Sequence, residues 1–282
     1  RREQKMRAQG KIGLITGAAS GLGYETARLL ASEGAKVLLA DIDLEGGEKA
    51  AAEIRAAGGD AIFLKVDVSI EQNIINAIKE VRSRWGGFNF MHNNAGTQLE
   101  VPLHETTNEG WDKINNINLK AVFWGLKHGV IAMKETGGGS IVNTASALSL
   151  VGDPFLPAYT ATKHGVLGLT RAAGAAYALD GIRVNCVCPG DMETPMIIKY
   201  WEATGDPEQA KINMGAAYPA KKIGHPREVA QMVLETHQML YLCHATRWNA
   251  SPLLLQRDAH VASPWWATIQ FPMQHVLHHT DH

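Results

Sequence analysis

Six short apolar runs recur along the chain: Ile12 to Thr16, Lys36 to Ala40, Ala61 to Val66, Phe90 to His92, Ile141 to Thr144 and Ile182 to Val187. Each predicts a strand buried on both faces. The segments between them have helix length and helix endings. Tyr24 to Glu33 closes on Gly34, and Leu44 to Ala57 closes on Gly58-Gly59; glycine tolerates the left-handed turn that follows a helix C-terminus. Ser69 with Gln72 has the pattern of a capping box, opening a helix that runs to Trp85 and ends at Gly86-Gly87. Strand and helix in alternation, joined by right-handed crossovers, predict a single α/β domain built as a Rossmann-like doubly wound parallel sheet. Six strands are clear and a seventh is in doubt.

No linker, repeat or low-complexity block interrupts the chain before about residue 235. The expected organisation is an N-terminal extension over 1–10, the sheet domain over 11–234, and an atypical tail over 235–282 dense in His, Trp, Pro and Gln. With 282 residues and 45% hydrophobic content, a sizeable core is available. The net charge of -1 carries no cationic surplus, which argues against nucleic acid as a partner. Three cysteines, Cys186, Cys188 and Cys243, fit free thiols in a reducing compartment better than a disulfide framework. Arg1 to Lys11 holds no apolar run of the signal-peptide kind, and Met6 reads as the natural start. No stretch approaches the roughly 20 apolar residues of a membrane span. A cytoplasmic protein with no membrane partner is the expectation.

The chemistry begins at Thr16-Gly17-Ala18-Ala19-Ser20-Gly21-Leu22-Gly23, between the first strand and the first helix. Backbone N–H groups at a helix N-terminus suit a pyrophosphate, and glycine permits its close approach. Asp41 ends the second strand roughly twenty residues further on, where a carboxylate accepts hydrogen bonds from ribose hydroxyls and repels a 2′-phosphate. Neither Ala18, Ala19 nor Ile42 supplies a compensating cation, so NAD is the cofactor expected. Asp67, followed by Val68, either contacts adenine or starts the loop leading to Ser69. Tyr159 and Lys163 stand four apart on a helix beginning near Ala158, so both side chains leave one face. A nearby ammonium stabilises a phenolate, drawing its pKa down from about 10 toward a value useful for proton exchange with an alcohol.

Taken in order, the glycine turn, Asn93-Asn94-Ala95-Gly96, Asn118, Ser146, the Tyr159/Lys163 pair and Pro189-Gly190 resemble the short-chain dehydrogenase/reductase family. The resemblance spans about Gly10 to Leu234. It implies an NAD-dependent oxidoreductase interconverting a secondary alcohol and a ketone, with Tyr159 as general acid or base. Ser146 is then the hydrogen-bond partner of the substrate oxygen, unless it is a capping serine, as Ser149 equally could be. Lys163 tunes Tyr159 and binds the nicotinamide ribose, while Asn118 holds a water that relays protons. The cofactor-binding set becomes Gly17, Ser20, Gly21, Leu22, Gly23, Asp41, Ile42, Asp67, Val68, Asn94, Ala95, Gly96, Tyr159, Lys163, Pro189, Gly190 and Thr194. Either Asn93 or Asn94 satisfies neighbouring backbone groups. Homotetramers or homodimers paired through helices near Trp111 to Met133 and Ala158 to Leu179 are also implied. Two rival readings are an NADPH-dependent ketoreductase, which Asp41 opposes, and a non-catalytic NAD-binding module.

Met192, Met196, Ile197, Tyr200, Trp201, Met214 and Tyr218 fall in a segment over about 191–222 that resembles a substrate cover, or pack as core. Leu148, Leu150, Phe155 and Leu156 are candidates for the opposite wall. The small-molecule substrate expected is a bulky, largely neutral alcohol or ketone. The tail lacks the helix, turn and last strand that usually finish the family's fold. A shifted reading frame is one account: the codons for Trp248-Asn249-Ala250-Ser251, read two bases later, can encode Glu-Arg-Val-Thr. The terminal His275, His278, His279 and His282 do not amount to a metal site, and no metal is expected.

Overall fold

The computed structural model describes residues 6–238. Its strands are β1 (Ile12–Thr16), β2 (Lys36–Asp41), β3 (Asp60–Lys65), β4 (Phe90–Asn93), β5 (Gly139–Thr144) and β6 (Ile182–Val187). They form one six-stranded sheet in the order β3-β2-β1-β4-β5-β6, and every pairing is parallel. The chain order reverses between β1 and β4, so the connections leave in opposite directions and a crevice opens at the carboxyl ends of those strands. The expected doubly wound sheet is present. The seventh strand, the altered reading frame, the terminal histidines and Cys243 all lie outside the described residues.

Because side chains alternate along a strand, the sheet feeds two cores. Leu14, Leu38, Met91 and Ile141 point into one, shared with residues of α3 (Glu71–Trp85), α5 (Ala121–Glu135) and α6 (Pro157–Tyr177). Ile15, Val37, Leu39 and Phe90 point into the other, shared with α1 (Gly21–Ser32), α2 (Leu44–Ala56) and α9 (Pro226–Gln238). Burying each such aliphatic side chain stabilises the fold by about 1.5–3 kcal/mol before the entropy of ordering is subtracted. Helix α9 continues through Glu235–Gln238, so the first residues assigned to the tail belong to the packed domain. Among the described residues, no helix is long and apolar enough to cross a membrane.

Local details depart from expectation in three places. Helix α1 begins at Gly21, three residues before the apolar period starts, because Gly21 and Gly23 contribute no hydrophobic signal. The capping box is not formed: α3 has Ile70 at its N-cap, without a side-chain cap. Ser69 instead gives its hydroxyl to Asp67 Oδ1 at 2.6 Å, and Gln72 donates to Asn76 Oδ1 at 2.9 Å. A carboxylate two residues away is the stronger acceptor. Third, α4 (Asn108–Asn115) reaches α5 through a π-helical turn over Asn116–Lys120, which the helical period does not reveal.

Residues 196–223 form a compact unit of their own, containing most of α7 (Pro195–Ala203) and all of α8 (Pro207–Ala216). Asp206 caps α8 by accepting from Gln209 N at 3.1 Å. Trp201 is buried, with Lys211 Nζ 5.5 Å from its ring centroid, so it serves as core. Met196, Ile198, Tyr200 and Ile212 remain exposed.

Candidate active site

The glycine turn is pressed against the end of β4. Gly17 has φ +65°, and a Cβ there would come within 2.8 Å of Ala95 Cα; one on Gly23 would sit 2.0 Å from Gly17 O. Only glycine fits either position. Asn94 Nδ2 donates to Thr16 O and Gly17 O, both at 3.1 Å, while Thr16 Oγ1 accepts from Asn94 N and Ala95 N at 3.0 and 3.1 Å. Asn94 is therefore the residue that satisfies neighbouring backbone, and Asn93 turns into the sheet to donate to Asn143 Oδ1 at 2.8 Å.

A dinucleotide fits this edge. Ser20 precedes α1 in an extended conformation and its side chain makes no cap bond, leaving the first-turn amides of Gly21, Leu22 and Gly23 for an outside acceptor such as phosphate. Asp41 is fixed beside the turn, with Oδ2 accepting from Ala19 N and Oδ1 from Asp43 N, each at 3.0 Å. Ile42 is exposed next to it, and Val68 is buried. Asp67 accepts from both Ser69 N and Ser69 Oγ, so it does shape the loop. Beyond β6, Pro189 O accepts from Ala147 N at 2.8 Å and Gly190 follows, half-buried. Thr194 returns to the glycine turn, its Cγ2 lying 3.5 Å from where a Cβ of Gly21 would be.

Two of the candidate catalytic groups, Lys163 and Asn118, flank Gly96. Lys163 is buried and donates from Nζ to Thr144 O at 2.7 Å. The same ammonium lies 5.4 Å from the ring centroid of Tyr159, one turn earlier on α6. Asn118, wholly buried in the π turn, accepts from Thr97 N and donates to Thr97 O, each at 2.8 Å, and reaches Thr162 Oγ1 at 3.4 Å. A Cβ on Gly96 would stand 3.4 Å from Asn118 Oδ1 and 3.6 Å from Lys163 Nζ, so the glycine leaves room between them. Ser146 turns out to be a cap as well: Oγ accepts from Leu148 N, and Ser146 N donates to Ser149 Oγ, both at 3.1 Å. Capping occupies only a lone pair of the hydroxyl, so its proton serves as a donor, here toward Tyr159.

Burial controls the electrostatics. It pushes the Tyr159 phenol above its ordinary value; a hydrogen bond with Ser146 works against that rise, and the Asp191 carboxylate adds to it. Burial also pushes Lys163 down to about 8. The expected lowering of Tyr159 by Lys163 does not dominate, because desolvation disfavours both ions. Three contributors have no motif to announce them: Thr144 and Thr97, which act through backbone groups, and Asp191, which meets Tyr159 only through folding. Cys186 and Cys188 are free thiols, and hydrogen bonding from Cys186 holds Cys188 below its ordinary value.

A parallel sheet of this order, with a glycine turn at its switch point and a Ser-Tyr-Lys-Asn group beside it, defines a dinucleotide-dependent oxidoreductase. The chain belongs to the short chain dehydrogenase family, whose sequence profile matches residues 11–205. It is 42% identical to a cyclohexanol dehydrogenase of an Acinetobacter species over 79% of this chain and 86% of that protein. A cyclopentanol dehydrogenase of a Comamonas species is 38% identical over 81% of this chain and 90% of its own. The crystal structure of levodione reductase superposes with a TM-score of 0.78 at 34% identity, covering 83% of this chain and 93% of that one. Membership makes the chain an oxidoreductase of alcohol and carbonyl groups that uses a nicotinamide cofactor.

Proposed function

We propose that this chain is an NAD-dependent dehydrogenase of alicyclic secondary alcohols, interconverting them with the corresponding ketones. The observation that carries this reading is a connected group beside the glycine turn: Lys163 and Asn118 flank Gly96, Tyr159 lies against Lys163, and Ser146 hydrogen-bonds Tyr159. NAD, when bound, supplies the hydride acceptor. Tyr159 takes the hydroxyl proton of the alcohol, or returns it to the ketone. Ser146 gives its remaining O–H to the substrate oxygen and stabilises the charge developing there. Lys163 holds positive charge beside the phenol and faces the nicotinamide ribose. Asn118 orders the proton path through the loop at Thr97.

NAD is preferred to NADP because Asp41 presents a fixed carboxylate where a 2′-phosphate would lie, with uncharged Ala18, Ala19 and Ile42 around it. Gly17, Ser20, Gly21, Leu22 and Gly23 hold the pyrophosphate side, Asp67 and Val68 the adenine side. Asn94, Ala95, Gly96, Pro189, Gly190 and Thr194 hold the nicotinamide side. A neutral cyclic substrate agrees with the exposed apolar residues Leu150, Val151 and Phe155 that follow Ser146, and with the alcohols named for the two dehydrogenases. The same reading makes 191–222 the cover over the substrate. It also makes the enzyme a cytoplasmic homotetramer or homodimer, in keeping with Phe123 and Ile131 exposed on α5.

The test is the absorbance of reduced nicotinamide when the chain meets NAD or NADP and a panel of cyclic, aromatic and aliphatic alcohols. Turnover with NAD and cyclohexanol or cyclopentanol is expected. Turnover with NADP alone would transfer the proposal to a ketoreductase, and NAD binding without turnover on any alcohol would reduce the chain to a binding module.

A further inference from the structure

His92 lies on β4, wholly buried. Its Nε2 is 2.9 Å from Thr144 Oγ1, and Thr144 Oγ1 is 3.1 Å from Asn94 Oδ1. The direction of these bonds is fixed from the far end. Asn94 spends Nδ2 on the carbonyls of Thr16 and Gly17, so only its oxygen faces Thr144, and an amide oxygen can only accept. Thr144 must therefore donate its single hydroxyl proton to Asn94. Its oxygen then receives an N–H from His92. The ring is neutral with the proton on Nε2, which agrees with Nδ1 being buried and without a partner: a bare nitrogen in that place costs less than an orphaned N–H.

We propose that His92 is a positioning residue for the dinucleotide site: through the Thr144 hydroxyl it holds the Asn94 amide in the orientation that clamps the glycine turn. The same threonine's carbonyl holds Lys163 Nζ at 2.7 Å, so one residue of β5 links the turn to the catalytic lysine. An apolar side chain of similar size would fill the space of the imidazole but leave the Thr144 hydroxyl without its donor. Thr144 and Asn94 could then reorient, and the Gly17 carbonyl would lose its fixed partner. This role rests on the glycine turn being the dinucleotide site proposed above.

The experiment has two readouts. In the wild-type chain with 15N-labelled histidine, NMR is expected to show the Nε2–H tautomer for His92, assigned by its disappearance in His92→Gln; an Nδ1–H tautomer would overturn the relay. The second readout is NADH binding by fluorescence, with folding checked by circular dichroism. His92→Leu should weaken NADH about tenfold, the scale of one lost hydrogen bond. His92→Gln, whose amide nitrogen is as many bonds from Cβ as Nε2, should stay within about threefold of wild type. A folded Leu variant with unchanged affinity, or a Gln variant as weak as Leu, overturns the positioning role alone. If the Leu variant does not fold, the Gln variant decides: a tenfold loss there overturns the role. Failure of the wild type to bind NADH would overturn the proposed function together with it.

Discussion

Tyr159 and Lys163 illustrate what a single residue needs from its surroundings. Their spacing puts them on one face of α6, but the acceptor that aims Lys163, the Thr144 carbonyl, comes from β5 and is invisible in the spacing. The chemistry assigned to Tyr159 depends on its exchangeable proton. Tyr159→Phe is expected to lower kcat at least about a hundredfold while leaving NADH affinity unchanged, as measured by steady-state kinetics beside a binding titration. With the phenol held above its ordinary value by burial, alcohol oxidation should accelerate as pH rises above neutrality. A flat rate profile between pH 6 and 9, roughly four units and one unit below the phenol's free value, would count against Tyr159 as the base. Asp41 carries the cofactor choice: Asp41→Ser should narrow the preference for NAD over NADP about tenfold, the scale of removing one charged interaction, read as the ratio of kcat/KM values.

At the level of elements, the strands were the most legible features, because β1 and β2, buried along nearly their whole length, are apolar runs with sharp ends. The turns were less so. Ser69 followed by Gln72 has the composition of a capping box, yet Asp67 takes the serine hydroxyl. The π turn that buries Asn118 leaves no periodic trace, since it inserts one residue into an otherwise continuous helix. The glycine turn was legible as a motif, and its geometry shows why each glycine is needed. Gly23→Ala would place a methyl group 2.0 Å from Gly17 O, so the backbone must move. A loss of about 1–3 kcal/mol in unfolding free energy is expected, together with loss of NADH binding. Calorimetric melting and a titration check the two effects separately.

Across the whole molecule, the two cores enclose ionisable groups that the fold keeps neutral. Burial pushes His92 down to about 3, and His237 is held well below its ordinary value by burial, with His92 and Arg183 adding to the effect. In the unfolded chain a histidine titrates near 6.5. Below that pH the unfolded state takes up protons that the folded state refuses, so stability falls as pH drops from about 6.5 toward 3. His92 alone accounts for about 4–5 kcal/mol over that window. Urea unfolding at stepped pH should show the decline, and His92→Gln should make it shallower, with the share of His237 remaining. The sequence by itself determined the parallel α/β architecture, the glycine turn, Asp41 and the Tyr159/Lys163 pair, because each depends on residues close together in the chain or on burial periodicity. Only the tertiary structure decided that Ser146 both caps and reaches Tyr159, that Asn118 is clamped at Thr97, and that His92, Thr144 and Asn94 form one hydrogen-bonded line. Those relations join strands and loops up to about fifty residues apart. Such partners are chosen by strand order and register, which no local pattern encodes.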